Sequence, residues 1–270
     1  MTAATPLSAT VTSGDIEIAY LEEGRGDPLV LVMGLGADKS AWRLHLDAYR
    51  QRFRCFAVDN RGAGESSKPA GPYSTAQMAD DYAGLVRSLG LGPVRVVGIS
   101  MGGAIAQELA LRHPDLVERM VIASSWARCD RYTAEVFAHF RAVRAHVPDA
   151  DFTQLLQLWI WSPAYVASHV DELREARTAD APRPMEQAAF SAQCDACIGH
   201  DTRSRLHGIR VPTLITAGEA DIFTPLHFAE ELHRKIPAAE LEVFPDSGHA
   251  HHWECLDSFN ELTSTWLAAP

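Results

Sequence analysis

The feature that most limits the folds open to this chain is a repeated change of hydrophobic period along it. Pro28-Leu29-Val30-Leu31-Val32-Met33, Phe53 to Val58 and Val94 to Ile99 are short, almost unbroken apolar runs bounded by Gly, Pro or Asp. Such runs suit parallel strands buried on both faces, whereas a strand with one wet face alternates. Between them apolar residues recur at helical spacing, in Ser40 to Tyr49, in Thr75 to Leu89 and in Met101 to Arg112, the last ending before Pro114. Strand alternating with helix predicts right-handed βαβ units and a mostly parallel sheet with helices on both faces. Ala9 to Thr12 and Ile16 to Leu21 alternate around Ser13-Gly14-Asp15, which adds a hairpin at a sheet edge.

The alternation stops after Leu116 to Ala123 and resumes at Pro212 to Ala217. It then continues with a helix near Pro225 to Lys235, a strand Glu240 to Phe244 and a helix Cys255 to Leu267. These runs and the hairpin predict eight strands. The intervening stretch reads as helices only: Val136 to Ala145, Phe152 to Ile160 and Pro163 to Arg177, broken at Pro148, Ser162-Pro163 and Pro182-Arg183-Pro184. The expected organisation is therefore a sheet core in two parts, residues 1–125 and 208–270, with a helical lid, residues 126–207, inserted between two strands and roofing a pocket.

Composition narrows the function classes. With 270 residues, 47% hydrophobic and 22% charged, one folding unit is expected and disordered or collagen-like chains are excluded. The net charge of −11 and the lack of a basic stripe argue against nucleic-acid binding. No apolar run approaches the ~20 residues of a membrane span, and Met1 to Ser13 lacks the basic start and apolar stretch of a signal peptide. Five cysteines, an odd number, make no disulfide framework, so a cytoplasmic location is expected.

Directly after the run Val94 to Ile99 comes Gly98-Ile99-Ser100-Met101-Gly102-Gly103, leading into a helix. Strand, G-x-S-x-G and helix together match the nucleophile elbow. A sharp strand-to-helix turn strains the serine backbone, and its neighbours must lack bulk for strand and helix to approach. A serine hydroxyl needs a base, and the base needs an orienting carboxylate. Asp221, in Ala217-Gly218-Glu219-Ala220-Asp221, and His249, in Asp246-Ser247-Gly248-His249, each lie just past a predicted strand, on the same sheet edge as Ser100. Glu219 is the rival carboxylate, and Ser124-Ser125-Trp126 supplies none after the preceding strand.

On these residues the chain resembles the α/β-hydrolase fold superfamily over nearly its whole length. Asp59-Asn60-Arg61-Gly62-Ala63-Gly64-Glu65-Ser66 is similar to that family's D-x-R-G-x-G-x-S loop, and Ala110-Leu111-Arg112-His113-Pro114 with Leu116-Val117 to its helix end and next strand. The resemblance implies a capped, cofactor-free serine hydrolase, similar to 3-oxoadipate enol-lactonases, aminoacrylate hydrolases and carboxylesterases. Ser100 would attack a carbonyl, His249 take its proton and Asp221 hold the imidazolium. The Met101 N–H and, from the family's H-G-x position in Met33-Gly34-Leu35-Gly36, the Leu35 N–H would bind the oxyanion. Met33 departs from the histidine usual there. A serine at the elbow disfavours the dehalogenase and epoxide hydrolase branches, while carbon-carbon bond hydrolases of ring-cleavage products and hydrolase-like ligand receptors stay open.

The expected partner is a small ester or lactone, bound by a monomer or homodimer. Trp126, Trp159 and Trp161 are the candidate substrate contacts among lid aromatics that also suit a lid core, with Trp126 foremost because it follows a strand end. Arg128, Arg131, Arg141 and Arg144 suit either a substrate carboxylate or the surface. The run His249-Ala250-His251-His252 lacks the further ligands of a metal site, so no metal is expected. Cys194-Asp195-Ala196-Cys197 has no second pair, and its thiols are expected to be structural or to face the pocket.

Overall fold

The strands are β1 (Leu7–Ser13), β2 (Ile16–Gly24), β3 (Asp27–Val32), β4 (Phe53–Val58), β5 (Val94–Ile99), β6 (Val117–Ala123), β7 (Thr213–Gly218) and β8 (Ala239–Phe244). They form one sheet in the order β1-β2-β4-β3-β5-β6-β7-β8. The pairs β1·β2 and β2·β4 are antiparallel and all others parallel, as the change from alternating to continuous apolar runs implies. The computed structural model describes residues 7–178 and 185–269. The predicted break at Pro182-Arg183-Pro184 and the first six residues lie outside these.

Helices α1 (Arg43–Tyr49), α2 (Thr75–Ser88), α3 (Met101–Arg112), α9 (His227–Lys235), α10 (His251–Glu254) and α11 (Leu256–Leu267) accompany the strands. Helices α4 (Arg131–Arg144), α5 (Asp149–Ile160), α6 (Pro163–Ser168), α7 (Val170–Thr178) and α8 (Gln187–Gly199) fall between β6 and β7. Successive β3 residues feed two apolar layers. Val30 and Val32 pack with Leu85 of α2 and Ile105 and Leu109 of α3, while Leu29 and Leu31 pack with Leu46 of α1 and Phe259 and Leu267 of α11.

Two helical stretches differ from the sequence reading. Ser40 to Tyr49 opens as a 3-10 turn, Lys39–Trp42, in which Asp38 caps the Ser40 N–H, before continuing as α1. Pro163 to Arg177 is two helices divided at His169, whose backbone leaves the helical region. There Ser168 Oγ donates to the carbonyls of Ala164 and Tyr165 at 2.9 and 3.1 Å, a local alternative to regular helix bonding. Among residues 170–177 of α7 only Leu173 is buried, whereas α3 is buried throughout Met101–Ala110.

Candidate active site

Between β5 and α3 the chain must reverse within one residue. Ser100 does so at φ 57°, ψ −118°, a conformation that side chains other than glycine rarely adopt. Its N–H donates to the Ala123 carbonyl at 2.8 Å, and its own carbonyl accepts from the Gly103 and Ala104 N–H groups. The glycines permit the approach. A Cβ on Gly98 would strike the Gly102 carbonyl, and one on Gly102 would strike that of Val32, so strand, elbow and helix touch backbone to backbone.

The loop after β3 runs past the serine, close enough that a Cβ on Gly34 would lie 3.2 Å from Ser100 Cβ. Asn60 Nδ2 donates to the Met33 carbonyl at 2.9 Å, and the Gly36 N–H donates to Gln193 Oε1 at 3.0 Å. Gln193 also donates to the Arg61 carbonyl at 3.0 Å, so this α8 residue ties two loops together. Nothing in the sequence singled out Gln193, because its partners lie more than a hundred residues away. Among the described residues, neither the Leu35 N–H nor the Met101 N–H donates to a protein acceptor. Met101 opens α3, where first-turn amides have no intrahelical partner.

Asp221 and His249 follow β7 and β8. His249 Nδ1 donates to Asp221 Oδ2 at 2.9 Å. The Phe223 and Thr224 N–H groups both donate to Asp221 Oδ1 at 2.8 Å, and the Thr224 hydroxyl donates to Oδ2 at 2.6 Å while lying 3.0 Å from His249 Nδ1. Burial by itself would raise the Asp221 pKa, but the His249 charge and the hydrogen bonds from His249 and Thr224 outweigh it and hold the carboxyl below its usual value. Glu219 is exposed and accepts only from the Asp246 N–H, at 3.4 Å, so it does not reach the imidazole.

Ser100 and His249 line one cavity of about 490 Å³, together with Met33, Gly34, Leu35 and Gly36. No hydrogen bond joins Ser100 Oγ to His249 among the described residues, and such contacts often tighten only when substrate enters. Helices α4, α5 and α8 supply Phe140, Phe152, Leu156 and Phe190 to the wall, with Phe223 from the Asp221 loop.

The three tryptophans expected at the substrate are elsewhere. Trp126 is fully buried against Phe137 and His200, Trp159 packs on Phe140 and Phe223, and Trp161 stacks on Tyr165 and lies by Trp253. None of them lines the cavity; the tryptophan that does is Trp253. Trp126 belongs to the apolar core and Trp159 packs against it half-buried, while Trp161 is half-buried outside it.

Of the four arginines weighed, only Arg144 reaches the cavity. Its guanidinium is paired with Asp149 at 3.0 Å, donates to the Met185 carbonyl and lies over the Phe152 and Phe190 rings. Arg177, which the sequence reading passed over, lines the cavity too. Its Nε donates to Gln157 Oε1 at 2.6 Å, and it has no acidic partner among the described residues. Cys194 and Cys197 are buried free thiols, and burial pushes Cys194 up to about 12, so neither offers a reactive thiolate. No metal-binding cluster occurs among the described residues, nor any helix long and apolar enough to cross a membrane.

Comparison with known proteins places this geometry in context. A family model described as the alpha/beta hydrolase fold matches residues 27–255. A protein of Azorhizobium caulinodans provisionally named carbamate hydrolase RutD is 30% identical over 250 residues, covering 92% of this chain and 94% of its own. The crystal structure of the enol-lactonase from Burkholderia xenovorans LB400 superposes with a TM-score of 0.88 at 25% identity, covering 97% of this chain and 100% of that one. A thermophilic esterase from Thermogutta terrifontis superposes with a TM-score of 0.83 at 27% identity, covering 98% of both chains.

Proposed function

Since the chain belongs to the alpha/beta hydrolase fold family, we propose that it is a serine hydrolase cleaving a small carboxylic ester or lactone through an acyl-enzyme. The observation that carries this reading is the Asp221–His249 hydrogen bond of 2.9 Å in a pair whose histidine shares a cavity with the strained Ser100. His249 accepts the Ser100 proton as Oγ attacks the carbonyl, and the buried Asp221 carboxylate stabilises the imidazolium. The Leu35 and Met101 amides hold the oxyanion, and His249 returns the proton to the leaving alcohol before water releases the acyl group.

We read residues 126–207 as the cap over this site, because the apolar wall comes from its helices and the reacting groups from loops at the strand ends. In that wall Arg177, half-buried and without an acidic partner among the described residues, favours substrates that carry a carboxylate. The cavity suits a small molecule rather than a polymer. Five free cysteines among the described residues accord with a reducing cytoplasm.

A second reading, carbamate hydrolysis by the same groups, is favoured by the relative provisionally named for it. Assaying 4-nitrophenyl acyl esters beside a carbamate ester tests both. Ser100→Ala is expected to lower ester hydrolysis by roughly 10⁴-fold or more while leaving the fold intact. Hydrolysis retained in that variant overturns the mechanism. Fluorophosphonate labelling of Ser100 without turnover of any ester or carbamate would indicate a receptor instead.

A further inference from the structure

Three buried polar side chains run through the layer between α1 and α11 and end at the cavity. Asn260 Oδ1 lies 2.7 Å from His45 Nδ1, and His45 Nε2 lies 3.2 Å from His252 Nδ1. A carbonyl oxygen can only accept, so the His45 proton is on Nδ1. Burial keeps His45 neutral, bringing its pKa down to about 4 despite the Asn260 hydrogen bond, and its Nε2 is then an acceptor. The hydrogen bond to it must come from His252 Nδ1–H. His252 is itself held neutral by burial first and by its histidine neighbours second, so one ring nitrogen, Nε2, keeps a lone pair.

The ring that carries this lone pair borders the cavity. His252 is 2% exposed and lines the same cavity as Ser100 and His249. Its Nε2 has no hydrogen-bond partner among the described residues, yet it is not sealed off as the buried orphan Trp42 Nε1 is. Phe259 and Trp253, with ring centroids 5.9 and 4.3 Å away, hold the imidazole in place.

We propose that His252 Nε2 is a substrate-recognising acceptor, taking a hydrogen bond from an O–H or N–H on the substrate and selecting acyl groups that carry a neutral donor over plain alkyl groups. An alkyl group would strip water from the lone pair and return nothing, whereas a hydroxyl or carbamoyl N–H replaces the lost bond. Asn260 and His45 act through His252 as positioning residues. The proposal rests on the reading of this cavity as the site of acyl transfer, and names the chemistry of the group transferred.

The test compares kcat/KM for matched pairs: 4-nitrophenyl glycolate against propionate, and 3-hydroxypropionate against butyrate. After correction for their reactivity toward hydroxide, at least one hydroxyacyl ester is expected to be favoured about tenfold. The preference should collapse in His252→Phe and weaken in His45→Phe, which leaves the ring in place but frees its tautomer. A folded His252→Phe variant that keeps the preference overturns the proposal. So does its absence from the parent enzyme in both pairs. A measurement independent of turnover and of any variant's folding is the ¹⁵N spectrum of the parent's histidine rings. His252 Nε2 should be unprotonated and should shift on adding hydroxyacetone but not 2-butanone, which has no donor; a protonated Nε2, or no shift, overturns the proposal. Turnover surviving in Ser100→Ala would defeat the acyl-enzyme mechanism while leaving this spectrum to decide on His252.

Discussion

Asp221 holds its charge through protein donors: two amides, one hydroxyl and the imidazole bond to its carboxylate oxygens. Its pKa is depressed in the folded protein, so its stabilising contribution is full above the unfolded value of about 4 and is lost as pH falls through the folded one. The urea midpoint of Asp221→Asn should therefore fall furthest below that of the parent between about pH 5 and 8, with the gap closing below roughly pH 4. A gap that does not depend on pH would show that the substitution acts through packing. The positions proposed for the triad were legible because each lies at a strand end marked by glycine or aspartate. Thr224 was not singled out, although the D-x-x-T spacing in Asp221-Ile222-Phe223-Thr224 is a signal for a side chain folding back on an aspartate turn.

At the scale of elements, the elbow depends on backbone contact between β5, α3 and the end of β3. Gly98→Ala forces a methyl group against the Gly102 carbonyl, which cannot retreat without moving the start of α3. It is expected to cost about 1–3 kcal/mol in chemical denaturation and to lower kcat more than it raises KM, since the Met101 amide shifts with the helix. Unchanged stability would mean that strand and helix can part there without cost. All eight strands and the long helices between them were readable from hydrophobic period, whereas the division of Pro163 to Arg177 into two helices and the bounds of α8 were not. Which aromatic faces the cavity was not, since that depends on how α4, α5 and α8 rotate against one another. Phe137 and Phe140, three residues apart on α4, illustrate this. Phe137 packs on Trp126, while Phe140 reaches the cavity wall.

Over the whole molecule, the net charge of −11 would repel an anionic substrate at long range, so a carboxylate-bearing ester depends on a local cation. Arg177→Leu should lower kcat/KM for mono-4-nitrophenyl succinate roughly tenfold relative to 4-nitrophenyl butyrate. Equal losses on the two esters would remove Arg177 from recognition. The charge balance was plain in the sequence; that Arg177 rather than Arg128 or Arg131 reaches the cavity was not, because it depends on how the helix that carries it is set over the sheet.

The helix behind Ser100 has no solvent face along Met101–Ala110, whereas α7, which carries Arg177, buries Leu173 alone among residues 170–177. On the proposed reading, chemistry and selectivity rest on parts of the chain with opposite tolerance to mutation. Substitutions along α3 have nowhere to expand, while the exposed α7 can accumulate changes one at a time without disturbing the serine. A lineage built this way can drift to new acyl groups through its cap while the reaction stays fixed, and a mutational scan should find replaceable positions clustered over the cavity and almost none behind the nucleophile.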